Sequence, residues 1–135
     1  MGTWGTGIFD NDMACDWTYD LEDAEDLSLI KETIDAVFEE DYIDSDIASE
    51  ALAAIEALAR LKGRWGERNA YTETLDEWVE GHRELVIPES LPERSVRAID
   101  AILGGESELK ELWGESEEFE EWGQNVRELR NRIST

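Results

Sequence analysis

One cysteine, one histidine and two prolines are all that 135 residues contain of those types, and 12 lysines and arginines face 35 aspartates and glutamates. The lone Cys15 excludes an internal disulfide and leaves no thiolate cluster for a structural zinc. No apolar run approaches 18 residues, so the sequence offers no membrane-spanning helix. The shortage of bases gives a formal charge of -23. DNA, RNA and an anionic membrane surface are all repelled by such a chain, and direct nucleic-acid binding is not expected. The opening MGTWGTGIFDND lacks the basic and apolar stretches of a secretory leader, so a cytoplasmic location is the expectation.

What is present argues for a folded chain. Apolar residues make up 41% and tryptophans number six, too many for an acidic disordered tail. The length suits one domain over residues 1–135. Charge is uneven: residues 1–60 carry 17 acids and two bases, whereas residues 61–135 carry 18 acids and ten bases. The reading is a leading arm over 1–9, strongly acidic helices over 10–62 and a second helical half over 63–135.

Apolar spacing places the helices. Asp10 or Asn11 can cap a first helix with Met13, Trp17 and Leu21 on one face. A second is expected over about 26–40 through Leu27, Ile30, Ile34, Val37 and Phe38. The third begins at Asp44 or Ser45 and runs to about Lys62, with Ile47, Ala51, Ile55, Leu58 and Leu61 toward the core. Gly63 to Gly66 end it. Thr72 or Thr74 opens a shorter helix, and Thr74 with Glu77 has capping-box spacing ahead of Trp78. The stretch before Pro88 avoids the helical region. Pro92 marks a further helix start, Ser107 can cap a short turn, and residues 115–133 complete the series. Strand candidates are weak throughout. The predicted fold is all-α, a small bundle of six or seven helices with a docked Gly/Trp-rich N-terminal arm. In that arm Gly2, Gly5 and Gly7 allow close backbone approach, and Trp4 and Phe9 need a surface to bury against.

Gly2, Trp4, Gly5, Gly7, Phe9, Asp12, Ala14, Asp16 and Trp17 together resemble the opening motif of a small bacterial family, domain of unknown function 4259. Asn69-Ala70-Tyr71, the Trp78 helix, Ile87-Pro88 and the run from Ser107 to Trp113 resemble it too. The resemblance implies a bacterial origin and a compact domain; it carries no catalytic residue, cofactor or partner.

Candidate sites follow from chemistry. Asp12 and Asp16 lie one turn apart and Asp20 continues their row. Magnesium or calcium would be the chemical match if a third oxygen ligand joined them. The structural alternative has Asp12 or Asp16 accepting backbone N–H groups from the glycine-rich arm. Asp41, Asp44 and Asp46 fail the calcium-loop pattern. His82 reads as a capping or solvent-facing residue. Acidic neighbours should raise the Cys15 thiol and keep it unreactive. Trp65, flanked by Arg64 and Arg68, is the candidate interface anchor; otherwise it seals the end of the third helix. Three functions remain open at this level. The chain is a protein-binding module for a basic partner, in the manner of an immunity protein or a nucleic-acid mimic. Alternatively it is a small metal-dependent protein or enzyme working through Asp12 and Asp16, or a purely structural or homo-oligomeric domain.

Overall fold

The computed structural model describes residues 3–134, and among them every regular element is helical. The order is α1 (Asp12–Glu22), α2 (Ser28–Asp35), a 3-10 turn (Ala36–Glu39), α3 (Ser45–Leu61), a second 3-10 turn (Ala70–Thr72), α4 (Glu73–Gly81), α5 (Ser90–Ile102), α6 (Glu108–Gly114) and α7 (Phe119–Ile133). The all-α bundle read from the sequence is the fold. Gly2 lies outside the described residues.

The third helix is the axis. Its sequence ASEALAAIEALARL is apolar on nearly every side, the pattern of a helix buried all round rather than along one stripe. Each residue from Ala51 to Arg60 is buried, and α1, α2, α4, α5, α6 and α7 all pack against α3. Alanines at 48, 51, 53, 54, 57 and 59 leave room for so many neighbours. The helix stops at Gly63, whose φ of 84° is open to glycine. There the Gly63 amide donates to the Arg60 carbonyl at 2.9 Å and the Arg64 amide to that of Ala59 at 2.8 Å, a Schellman closure.

The start of α3 is held by carboxylates. Asp44 accepts from the Asp46 amide at 2.7 Å, and Glu108 of α6 reaches across to the Ser45 amide at 2.8 Å. A short parallel bridge between Ile43 and Ser107 brings these two helix starts together. Negative charge is favourable at such N-termini, which makes room for several acids in one place.

Some boundaries differ from the sequence reading. The second helix tightens into a 3-10 turn after Asp35, and Phe38 at its end is exposed with the Arg94 guanidinium 4.5 Å over its ring. The capping box is Asn69 with Thr72, not Thr74 with Glu77. Both pairs have the right spacing, but Asn69 follows the connection and meets the first free amides. Helix α5 begins at Ser90, so Pro92 sits inside its first turn, where the missing N–H costs nothing.

Candidate functional site

The segment before α1 is organised around Asp10. Its carboxylate accepts the Gly7 amide at 3.0 Å, its backbone amide donates to the Gly7 carbonyl at 3.1 Å, and its own carbonyl accepts from the Trp4 amide at 2.9 Å. A Cβ at Gly5 would stand 2.5 Å from that carboxylate, and one at Gly7 2.8 Å away. The spacing Gly5-x-Gly7-x-x-Asp10 is therefore a loop closed on one side chain, and Asp10 has the part that the sequence reading gave to Asp12 or Asp16. Phe9 is buried, while Asn125 of α7 donates to the Thr6 carbonyl and hydroxyl oxygens, each at 3.0 Å. Trp4 departs from expectation. It is 46% exposed and leans on Tyr71 at 5.1 Å, outside the core.

Asn11 caps α1 by accepting from the Ala14 amide at 2.8 Å, and this register buries Trp17 and Leu21. The same register leaves Asp12, Asp16 and Asp20 exposed in a row. No side-chain hydrogen bond or ion pair joins Asp12 or Asp16 to another described residue. Among the described residues, no group of three or more His, Cys, Asp or Glu side chains is placed to hold a metal ion. The row instead continues as charge onto the start of α3. Half-buried Glu50 has its carboxyl raised, first by burial and then by Asp46, Asp20 and Asp44. Cys15 is raised for the same kinds of reason, first by burial and then by Asp12, Asp16 and Asp10. The Tyr42 hydroxyl binds Glu111, and with the charges of Glu108 and Glu106 close by it is pushed up to about 12. So α1, the start of α3 and the start of α6 form one acidic face.

A pH dependence follows. The folded chain holds a proton on Glu50 more tightly than the unfolded chain does. That group therefore adds stability as pH falls from neutrality toward its ordinary value of 4.5. The opposing groups act lower. Hydrogen bonds from Ser28 hold Asp26 below the ordinary 3.8; for Asp35, burial works upward, but hydrogen bonds from Lys31 and Arg94 outweigh it. Their contribution is lost only as pH falls below about that value. Thermal melts should give a higher Tm near pH 5 than near pH 8. Glu50→Gln should raise the pH 8 value by relieving roughly 0.5 kcal/mol of like-charge cost and should flatten the profile. A Tm that falls from pH 8 to pH 5 in the wild type would contradict the assignment.

The bases are used elsewhere. Arg60 is buried, with Nε on Glu56 at 2.9 Å, Nη1 on Asp76 at 2.5 Å and Nη2 on the Glu67 carbonyl at 2.7 Å. Arg132 of α7 closes on both Glu56 oxygens, at 2.8 and 2.7 Å, and on Glu128 at 2.6 Å. Burial alone would lower Arg132, but these hydrogen bonds outweigh it and hold the guanidinium above its ordinary range. Gly66 lies flush against this network: a Cβ there would meet Arg132 Nη2 at 2.9 Å. The network forms one wall of a polar cavity of about 200 Å³ under the N-terminal segment. No buried side-chain polar atom among the described residues lacks a partner.

Trp65 closes the other side of the network. It is half-buried, with the Arg68 guanidinium 4.5 Å and that of Arg60 5.5 Å from its ring. Arg68 is exposed and binds Glu80 at 2.7 Å, and the Arg64 carbonyl accepts from Arg132 at 3.0 Å. His82 stacks on Trp78 at 4.4 Å, with Nδ1 2.7 Å from the Trp78 carbonyl, at the end of α4. Glu56, Arg60 and Asp76 escaped the sequence reading because charged residues are ordinarily assigned to solvent. Their one signal was the i,i+4 pair Glu56 and Arg60 inside an otherwise apolar run.

The geometry defines an all-α protein with a buried ion network on one side of its central helix and an acidic face at that helix's start. The chain belongs to the family described as Domain of unknown function (DUF4259), whose profile matches residues 2–125. No curated protein and no solved structure matches it.

Proposed function

We propose that the chain is a binding module whose acidic face, built from α1, the start of α3 and the start of α6, engages a basic protein. One observation carries this reading. Every ion pair among the described residues uses a carboxylate from Asp35, Glu56, Asp76, Glu80, Asp100 or Glu128, and none uses Asp12, Asp16, Asp20, Asp44, Asp46 or Glu108. A face with unneutralised acids costs folding energy: the Glu50 carboxyl is raised first by its burial and then by Asp46, Asp20 and Asp44, and a cationic surface relieves the like-charge part on contact. Complementary charge of this kind speeds encounter and fixes orientation, and it is sensitive to salt.

Titration of isotope-labelled chain with octalysine, followed by amide NMR, tests it. The expected shifts cluster over residues 12–23, 42–50 and 106–111 and vanish at high salt. The triple replacement Asp16→Lys, Asp20→Lys and Asp46→Lys should weaken binding at least about tenfold, the loss expected when like charges are juxtaposed. Shifts spread evenly over the acids of α4 and α7 as well would mean attraction to net charge alone and would sink the proposal.

A further inference from the structure

A groove of about 650 Å³ lies between the start of α2, the first two turns of α5 and the connection that follows α4. It is unrelated to the acidic face and stands apart from the proposed function. Its apolar surface comes from Leu27, Leu85, Val86, Pro88 and Leu91, and Val86 is 87% exposed. The volume is that of small-molecule sites, which pair an apolar bed with a few placed polar groups.

The charge around it is what distinguishes this groove. Lys31, Arg94 and Arg97 line it alongside Asp26, Asp35 and Glu93, so it is locally neutral in a chain whose formal charge is -23. Residues 1–60 contain only two bases; Arg60 is buried, and the other, Lys31, stands here. The three cations are not equally committed. Lys31 pairs with Asp35 at 3.0 Å, and Arg94 binds the same carboxylate through Nε while lying over Phe38. That arrangement fixes the Arg94 plane and leaves its terminal amino groups without an acidic partner among the described residues. The exposed Arg97 forms no ion pair with a described residue. Free guanidinium edges beside an apolar bed match a carboxylate attached to a hydrocarbon or aryl body, because guanidinium and carboxylate pair through two parallel hydrogen bonds.

We infer that this groove binds a small amphipathic carboxylate, its apolar body on Leu27, Leu85 and Leu91 and its carboxylate on Arg94 and Arg97. The test is amide NMR of the full chain titrated with octanoate and, in parallel, with 1-octanol. The expected result is saturable shifts confined to residues 26–35 and 85–97, with octanoate half-saturating near or below about 1 mM, as suits a ligand of this size. Octanol should bind at least about fivefold more weakly, and Arg97→Gln, at an exposed position, should weaken octanoate about fivefold and leave octanol unchanged. Equal binding of the two probes, an unaffected Arg97→Gln variant, shifts centred elsewhere or no saturable shift would each overturn the inference.

Discussion

Replacing Arg60 by methionine should cost about 3 kcal/mol of folding stability, the lower end of what breaking a buried ion pair costs. For a chain of this length that corresponds to a fall in Tm of about 10 °C. The reason is the number of groups that lose a partner at once. Arg60 serves Glu56, Asp76 and the Glu67 carbonyl from one guanidinium, deep in the bundle. Methionine fills much of the same volume but donates nothing. The loss is cushioned because Arg132 still holds Glu56, and Thr72 still donates to Asp76 at 2.9 Å. Asp76→Asn alone should cost less, and the double variant should recover on the order of 2 kcal/mol relative to the sum, as neighbours in one network do. Arg68→Ala provides the contrast: its side chain is 53% exposed, and losing its pairs with Glu80 at 2.7 Å and, from the rim of the network, with Asp76 at 3.4 Å should change stability by less than about 1 kcal/mol. Chemical denaturation of these variants measures each figure. A loss under about 1 kcal/mol for Arg60→Met would mean that water satisfies Glu56 and Asp76 without it.

That network marks the boundary of what local sequence rules reach. The Asn11 and Ser107 caps, the span of α3 and its stop at Gly63 are legible because each depends on a few consecutive residues. The burial of Glu56 and Arg60 depends on α4 and α7 arriving from 16 and more residues away, and no periodicity announces that. The acidic surface was half legible. Charge asymmetry pointed to the first sixty residues, but the face is completed by Glu106, Glu108 and Glu111, which the Ile43–Ser107 bridge brings in from the second half. The loop on Asp10 was misassigned for a different reason. Asp10, Asp12 and Asp16 are chemically identical candidates, and only the helix register, set by the Asn11 cap, turns the last two away from the glycines.

The same register makes Trp17 the residue that seats the acidic row. Trp17 is 3% exposed, and its indole N–H donates to the Thr33 hydroxyl at 2.9 Å, tying α1 to α2. Trp17→Ala should therefore cost about 3–5 kcal/mol, the range for deleting a large buried aromatic side chain. Trp17→Phe should cost about 1–2 kcal/mol, mostly the lost hydrogen bond and part of the ring volume. It leaves no orphan, because Thr33 keeps its bond to the Leu29 carbonyl at 2.7 Å. The loss should also have a location. α1 carries exposed acids on its outer side and repels the start of α3, so burial of Trp17 and Leu21 is what holds it down against that repulsion. Hydrogen exchange of Trp17→Ala should show α1 amides losing protection well before those of α3 and α5. Added salt should restore part of that protection by screening Asp20 from Asp44 and Asp46. If α1 and α3 instead lost protection together, at every salt concentration, the acidic row would not be opposing its own anchor.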